Sequence, residues 1–337
     1  MTVGVIRCGV AAILFGISAP AASRLTVHLD AFSLAGLLYL GAALAVAPVA
    51  GRTRVTRAAI RTSLPNLALA VVLGGAVGPV LLAIGLGLVP AATASLVLNL
   101  ELVFTTIVAG VVFREYIGRH VIAGTLLVAT GTAVLTWSGG PDLRLGALSI
   151  AAACLCWAID NSATAAIDQI GPSHITLAKG VIAGGTNLII GLIAGGGLPL
   201  APALWALCIG AFGYGASITL WVSGARELGA ARGQVVFAAA PFVGAIVAWT
   251  IFSDPASARE LAAFVLAAFG IALVLRSHHD HRHVHKPMSH AHDHDHDEHH
   301  MHDHEAVVSG RHTHHHEHVP AEHRHPHVPD LHHRHRH

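Results

Sequence analysis

Charge is scarce in this chain. Only 12% of its 337 residues are Asp, Glu, Lys or Arg, against about 25% in an ordinary soluble domain. That scarcity excludes a conventional water-facing surface over most of the length. Cysteine is scarce too. Cys8, Cys154, Cys156 and Cys208 all lie in apolar runs and read as small hydrophobes. Cys154 and Cys156 are two apart, so a helix points them to different sides. No disulfide framework and no chelating CxxC follows. A nucleophile–base constellation and a phosphate loop are also missing, so an enzyme is not expected. No nucleic-acid partner is expected either.

What charge there is divides unevenly. Up to Ser277 there are 14 Lys and Arg against 9 Asp and Glu, a net +5. Beyond it there are 6 against 10, a net −4, and 25 of the 28 His. The chain is therefore an apolar body followed by a polar, His-rich tail.

The body, in a chain of mean hydropathy +0.61, holds apolar windows at 3–22, 31–50, 65–88, 91–113, 120–138, 145–165, 177–197, 202–222, 230–252 and 260–276. Each is close to the roughly 20 residues that cross a bilayer as a helix. The first window ends in Ala-Pro-Ala-Ala and could mimic a secretory signal. It is long for one, and the repeat described below needs it, so it reads as a retained helix. Arg52, Arg54, Arg57, Arg61, Arg114, Arg119, Arg226 and Arg232, with Lys179, fall on one side of the spans. Arg24, Arg144 and Arg259 fall on the other. The richer side is cytoplasmic by the positive-inside rule. Ten spans then put both termini in the cytoplasm, for a multi-pass protein of the cell (inner or plasma) membrane.

The two halves match at an offset of 139 residues. Gly74 meets Gly213, Gly85 meets Gly224, Ala91-Ala92 meets Ala230-Ala231, Phe113 meets Phe252, and Gly131 meets Gly270. A slightly larger offset aligns Phe15-Gly16-Ile17 with Trp157-Ala158-Ile159. Five spans per half is an odd number, so the second half enters from the opposite side. The expected fold is all-α and integral to the membrane: ten transmembrane helices as two inverted five-helix repeats, with a disordered tail. The domains are 1–138, 139–277 and 278–337. Most of the 35 glycines read as close-packing positions between helices.

The stretches Ala91-Ala92 through Glu101 and Glu115-Tyr116-Ile117-Gly118, with Ala230-Ala231 through Pro241 and Asp254, resemble the drug/metabolite transporter superfamily. Within it they are similar to the EamA-type permeases. The resemblance covers residues 4–276. It implies two five-helix repeats and transport of small organic solutes. The family usually carries a proline in the fourth span, where Pro241 stands in the ninth. Here that position is Leu102, which implies a kink in only one half.

Glu101 is the sharpest candidate residue. A carboxylate mid-span costs about 2.5–3.5 kcal/mol on insertion scales, so it should face protein or a water-filled cavity. It can serve as a proton carrier or as the partner of a substrate ammonium, or it can fix helix packing. Thr105 shares its face one turn on. Asn99 does not, and is expected to bridge to a neighbouring helix. Gln234, Tyr214, Trp157 and Trp249 are further cavity candidates. Pro241 is a candidate kink, and Asp160, toward the cytoplasmic end of its span, is a candidate gate or a solvated helix end.

The tail is densest at His292, His294, His296, His299 and His300. Neutral imidazole binds Zn, Ni or Co, but this run offers many interchangeable ligand sets. No cofactor is required, and the tail is expected either to bind these metals with little selectivity or to be a charged, pH-responsive segment with no metal role. Two functions follow. One is a secondary transporter, an exporter of small organic metabolites or amino acids, working by alternating access around a midplane cavity that contains Glu101. The other is a Ni, Co or Zn transporter with the tail as sensor or buffer. A non-transporting membrane sensor is a third reading. The partners are a small-molecule substrate and the lipid bilayer, and a homodimer is compatible with the pattern.

Overall fold

The computed structural model describes residues 2–112, 118–136, 140–167, 169–228, 236–276, 279–284, 288–294, 312–318 and 322–327. Residues Met1–Ser277 form one compact unit and His278–Val328 another.

The first unit is helical throughout its described residues. The helices are α1 (Thr2–Ser23) and α2 (Ala31–Ala50), then α3 (Arg57–Leu88). Helix α4 comes in two pieces, Ala91–Val97 and Leu100–Val112. Then follow α5 (Arg119–Thr136) and α6 (Pro141–Ala165), and α7 (Pro172–Ile193) and α8 (Leu200–Gly224). The last two are α9 (Ala240–Thr250) and α10 (Ala258–Arg276). Eight of these are long and apolar enough to cross a membrane. The apolar windows locate every helix, and the ends shift where polar residues enter the first turn. Thr56 caps α3 by accepting from Ala59 N–H, so Arg57 and Arg61 are helical. Pro172 opens α7, where its fixed φ suits the first turn. Lys179 is therefore inside α7.

Three helices contain wide π turns: Ala70–Val77 in α3, Lys179–Gly184 in α7 and Gly210–Ala216 in α8. Glycine supplies close contacts around all three, with Gly180 of α7 against Tyr39 and Ala43 of α2. Gly74 lies against Asp160 of α6, and Gly213 against Ser18 of α1. Gly85 lies against Gly146 and Ile150, and Gly224 against Gly4 and Cys8. In the same way α5 and α10 meet through Gly124 at Gly270 and Gly131 at Ala263. Any Cβ at these positions would strike a neighbouring helix, which is how small residues bring membrane helices together.

Two expectations need correction. The proline argument placed a kink in one half only, but both halves break. Helix α4 is interrupted at Leu98–Asn99 without proline, and the chain turns again at Ala238–Ala239 just before α9. At the first break Asn99 N–H donates to Leu96 O and Leu102 N–H to Asn99 O; at the second, Ala239 N–H donates to Val236 O and Phe242 N–H to Ala239 O. These three-residue bonds tighten the helix and need no proline. The cysteines also differ among themselves. Cys8 and Cys154 are buried, while Cys156 is half-buried and Cys208 exposed.

The described residues of the second unit form four strands: β1 (His279–Val284), β2 (Met288–His294), β3 (His312–His318) and β4 (Glu322–His327). They pair antiparallel, β1 with β4 and β2 with β3. A backbone ladder needs no apolar core, and alternating His gives the two-residue period that a strand accepts.

Candidate functional site

Gly74 is where the polar groups of the bundle converge. It sits in the π turn of α3, and its carbonyl takes two side-chain donors, the Tyr39 hydroxyl from α2 and Trp157 Nε1 from α6 at 3.2 Å. A π turn frees a carbonyl from the regular ladder, so it can accept such bonds. The Gly74 Cα faces the Asp160 carboxylate. Lys179 reaches that carboxylate from α7 and contacts both oxygens at 2.6 Å. Thr164 adds a hydrogen bond at 3.0 Å. The pair is well buried, with side-chain exposures of 14% for Lys179 and 6% for Asp160. A solvated helix end for Asp160 is thereby excluded. On the far side of α3, Asn187 Nδ2 donates to Ala76 O at 3.2 Å.

Glu101 joins this cluster through the next residue of α6. Asn161 Nδ2 donates to its Oε1 at 2.9 Å. Asn161 is exposed and Glu101 half-buried, so the contact borders accessible surface and is not sealed in packed core. The Lys179 ammonium is already taken by Asp160, and the hydrogen bond to the Glu101 carboxylate comes from a neutral amide. Cys154, one and a half turns before Asp160, packs its thiol at 3.8 Å from Leu98 O, at the break in α4.

The other sequence candidates fall around this centre or away from it. Tyr214 is buried and packs edge-on against Phe15 and at a tilt against Tyr39, each with ring centroids 5.7 Å apart. It reaches the centre through Tyr39. Asn99 is buried, and its amide folds back to Leu96 O at 3.1 Å; it secures the break in α4 and does not bridge to a neighbour. Thr105 is half-buried one turn beyond Glu101. Pro241 lines a void of about 10 Å³ with Phe15, Gly16, Ala19, Ser95 and Leu98. Trp249 packs on Phe264 with centroids 5.7 Å apart. Gln234, His296, His299 and His300 lie outside the described residues, and for His292 and His294 only the backbone of β2 is described. Sequence reasoning missed Tyr39, Gly74, Asn187 and the role of Lys179. Lys179 carried a usable signal, an ammonium in an apolar run, which at membrane depth asks for a partner.

The arrangement offers an acid–base pair against Gly74 and a second acid, Glu101, tied to the next residue of α6. Among the described residues, no three His, Cys, Asp or Glu side chains gather closely enough to hold a metal ion.

Comparison with known proteins agrees with this architecture. The model of the EamA-like transporter family matches residues 2–137 and again residues 144–276. An uncharacterized transporter of Methanothermobacter thermautotrophicus is 28% identical over 217 residues, which is 62% of this chain and 63% of that protein. The match thus spans under two thirds of that relative's length. One solved crystal structure superposes with a TM-score of 0.59 at 19% identity, covering 81% of this chain and 96% of the other. That likeness concerns the fold alone.

Proposed function

Because the chain belongs to the EamA-like transporter family, we propose that it is a secondary transporter that exports small organic metabolites or amino acids. Two inverted five-helix halves alternate access around Glu101. The carrying observation is the state of its carboxylate. Asp160 occupies Lys179, so among the described residues of this cluster Glu101, held by the Asn161 amide, is the acid without a counter-charge. With both acids ionised the cluster carries one excess negative charge. A proton or a substrate ammonium at Glu101 neutralises it, and exchange of one for the other couples the two.

The inverted repeat is supported from two directions. The family matches the chain twice, once per half. The glycine contacts also recur in pairs: Gly74 with Asp160 answers Gly213 with Ser18, and Gly85 with Gly146 answers Gly224 with Gly4. Halves of this kind rock about a site between them. The arginine bias supports cytoplasmic termini in a multi-pass protein of the cell membrane, and a homodimer is compatible with this reading.

A second reading rests on the tail: a Ni, Co or Zn transporter with its histidines as cytoplasmic sensor or buffer. The body favours the first reading, since its described residues assemble no three-ligand metal site. Efflux of amino acids and of Ni, Co and Zn, measured with the full chain and with a truncation after Ser277, separates the two. Metabolite flux unchanged by truncation is expected. Metal resistance that vanishes with the tail would overturn this assignment.

A further inference from the structure

We propose that the first turns of α3, with the loop before them, are a binding surface for anionic phospholipid headgroups. Arg52, Arg54, Arg57 and Arg61 hold the phosphates of the leaflet that borders this end of the bundle. The inference needs only that the chain spans a membrane, and is independent of what it carries.

The sequence sets the charge. Four Arg fall within ten residues, and no Asp or Glu occurs between Asp30 and Glu101. All four Arg are exposed. The ion pairs among the described residues, Arg24 with Asp254 and Lys179 with Asp160, involve none of them. An Arg guanidinium is a rigid planar fork that binds a phosphate through two parallel hydrogen bonds.

Helix length sets the depth. Helix α3 runs for 32 residues, Arg57–Leu88, and its apolar run begins at Pro65. The eight residues before Pro65 add about 12 Å at 1.5 Å per residue. A headgroup layer is about 5–8 Å deep, so Arg61 lies within it and Arg57 at its outer edge.

The faces of this helix start divide accordingly. At 3.6 residues per turn, Arg57, Ile60, Arg61 and Leu64 share an arc of about 100°. Ile60 is 42% and Leu64 53% exposed. On the opposite side Ala59 is buried with Ile167, Ile170 and Ile175, and Ser63 is buried too. One face is packed on protein, while the other interleaves apolar side chains with guanidinium groups. That pattern suits a lipid interface, where Ile60 and Leu64 meet acyl chains and the Arg side chains reach outward to phosphate. The loop is fixed in place as well. His174 Nε2 donates to Thr53 O at 3.1 Å, Arg52 and Thr53 N–H donate to Val49 O and Ala50 O, and the Thr56 hydroxyl caps α3. The positive-inside rule asks only for basic residues near span ends; it asks for neither the exposed apolar pair nor the anchored loop.

Native mass spectrometry of the full chain in detergent tests this, by titration with phosphatidylglycerol and with phosphatidylcholine of the same acyl chains. Each Arg at an anionic surface is worth about fivefold in affinity. The wild type is expected to prefer phosphatidylglycerol by about tenfold or more. Arg57→Gln/Arg61→Gln is expected to lose that preference with an unchanged unfolding midpoint, since both side chains lie away from the packed face. A preference that survives in this variant overturns the surface. So does an equal loss in Arg259→Gln, beside Pro90 at the far end of α3. Displacement of phosphatidylglycerol by millimolar glycerol phosphate would show a site for soluble anions and overturn the lipid assignment. Where the first variant does not fold, Arg52→Gln/Arg54→Gln, in the loop, decides by the same criterion.

Discussion

Glu101 and Pro241 occupy the same place in their helices. Each is the second residue after a two-residue break, Leu98–Asn99 before one and Ala238–Ala239 before the other. The alignment of the halves by identity sets Leu102 opposite Pro241, and counting from the breaks sets Glu101 there. One half thus carries at its bend a residue that has no amide hydrogen. The other carries an acid whose amide bonds to Leu98 O at 3.1 Å. The bend is shared and the chemistry is not, which concentrates the ionisable function of the site in the first half.

The same asymmetry appears at the glycines. Gly74 faces the ion pair of Asp160 and Lys179, while its counterpart Gly213 faces Ser18, whose hydroxyl is satisfied by Phe15 O at 2.6 Å. A buried pair that loses one partner leaves an uncompensated charge, which costs about 3–5 kcal/mol. Asp160→Asn and Lys179→Met are each expected to lower the thermal unfolding midpoint of the purified protein sharply. The double variant is expected to recover most of the loss. Equal losses in the double and single variants would mean that the pair does not act as a unit.

Gly74→Ala tests the approach of α6 to α3. A methyl group there meets the Asp160 carboxylate, and overpacking of this kind costs about 1–3 kcal/mol. Because the obstacle is one side chain, the cost should shrink in an Asp160→Ala background, which a double-mutant cycle reads directly. An unchanged cost would place the constraint in the backbone of the π turn.

Hydropathy reveals most of this fold because a bilayer demands long apolar helices, and each of the ten windows contains one. It blurs the ends, since the polar first turns of α3 and α7 look like loop. Glu101 and Asp160 are legible because a carboxylate in an apolar run is costly wherever it sits. Tyr39 and Asn187 are not, because a Tyr or Asn at membrane depth matters only through its partner. Those partners are the Gly74 and Ala76 carbonyls, freed by a π turn that no residue pattern announces. The break at Leu98–Asn99 was hidden for a similar reason. Its stabilising groups are backbone bonds and the Asn99 amide, with no proline to mark it.

Glu101→Gln isolates the charge of the candidate site. Gln retains an oxygen that can accept from Asn161, so packing and the 2.9 Å contact should survive. Flux in proteoliposomes is expected to fall by roughly tenfold or more, the equivalent of about 1.4 kcal/mol, with membrane insertion and thermal unfolding unaltered. Asn161→Ala should lower flux as well, since it frees the carboxylate from its position. Wild-type flux in Glu101→Gln across pH would remove the coupling role.

The tail makes a separate prediction, because the chain divides into two units at Ser277. Truncation after Ser277 removes 25 of 28 His and should leave the unfolding of the helical body unchanged. Calorimetric titration with Zn and Ni should show binding to the full chain and none to the truncated one, since the described residues of the body offer no three-ligand cluster. The many equivalent histidines predict little selectivity. A site of fixed geometry discriminates among metals through its ligand number and angles, whereas a run of interchangeable imidazoles can satisfy each ion with a different set. Zn and Ni affinities within about tenfold of each other are therefore expected. A much stronger preference for one ion would show that the tail closes into a defined site, and would favour the metal-handling reading.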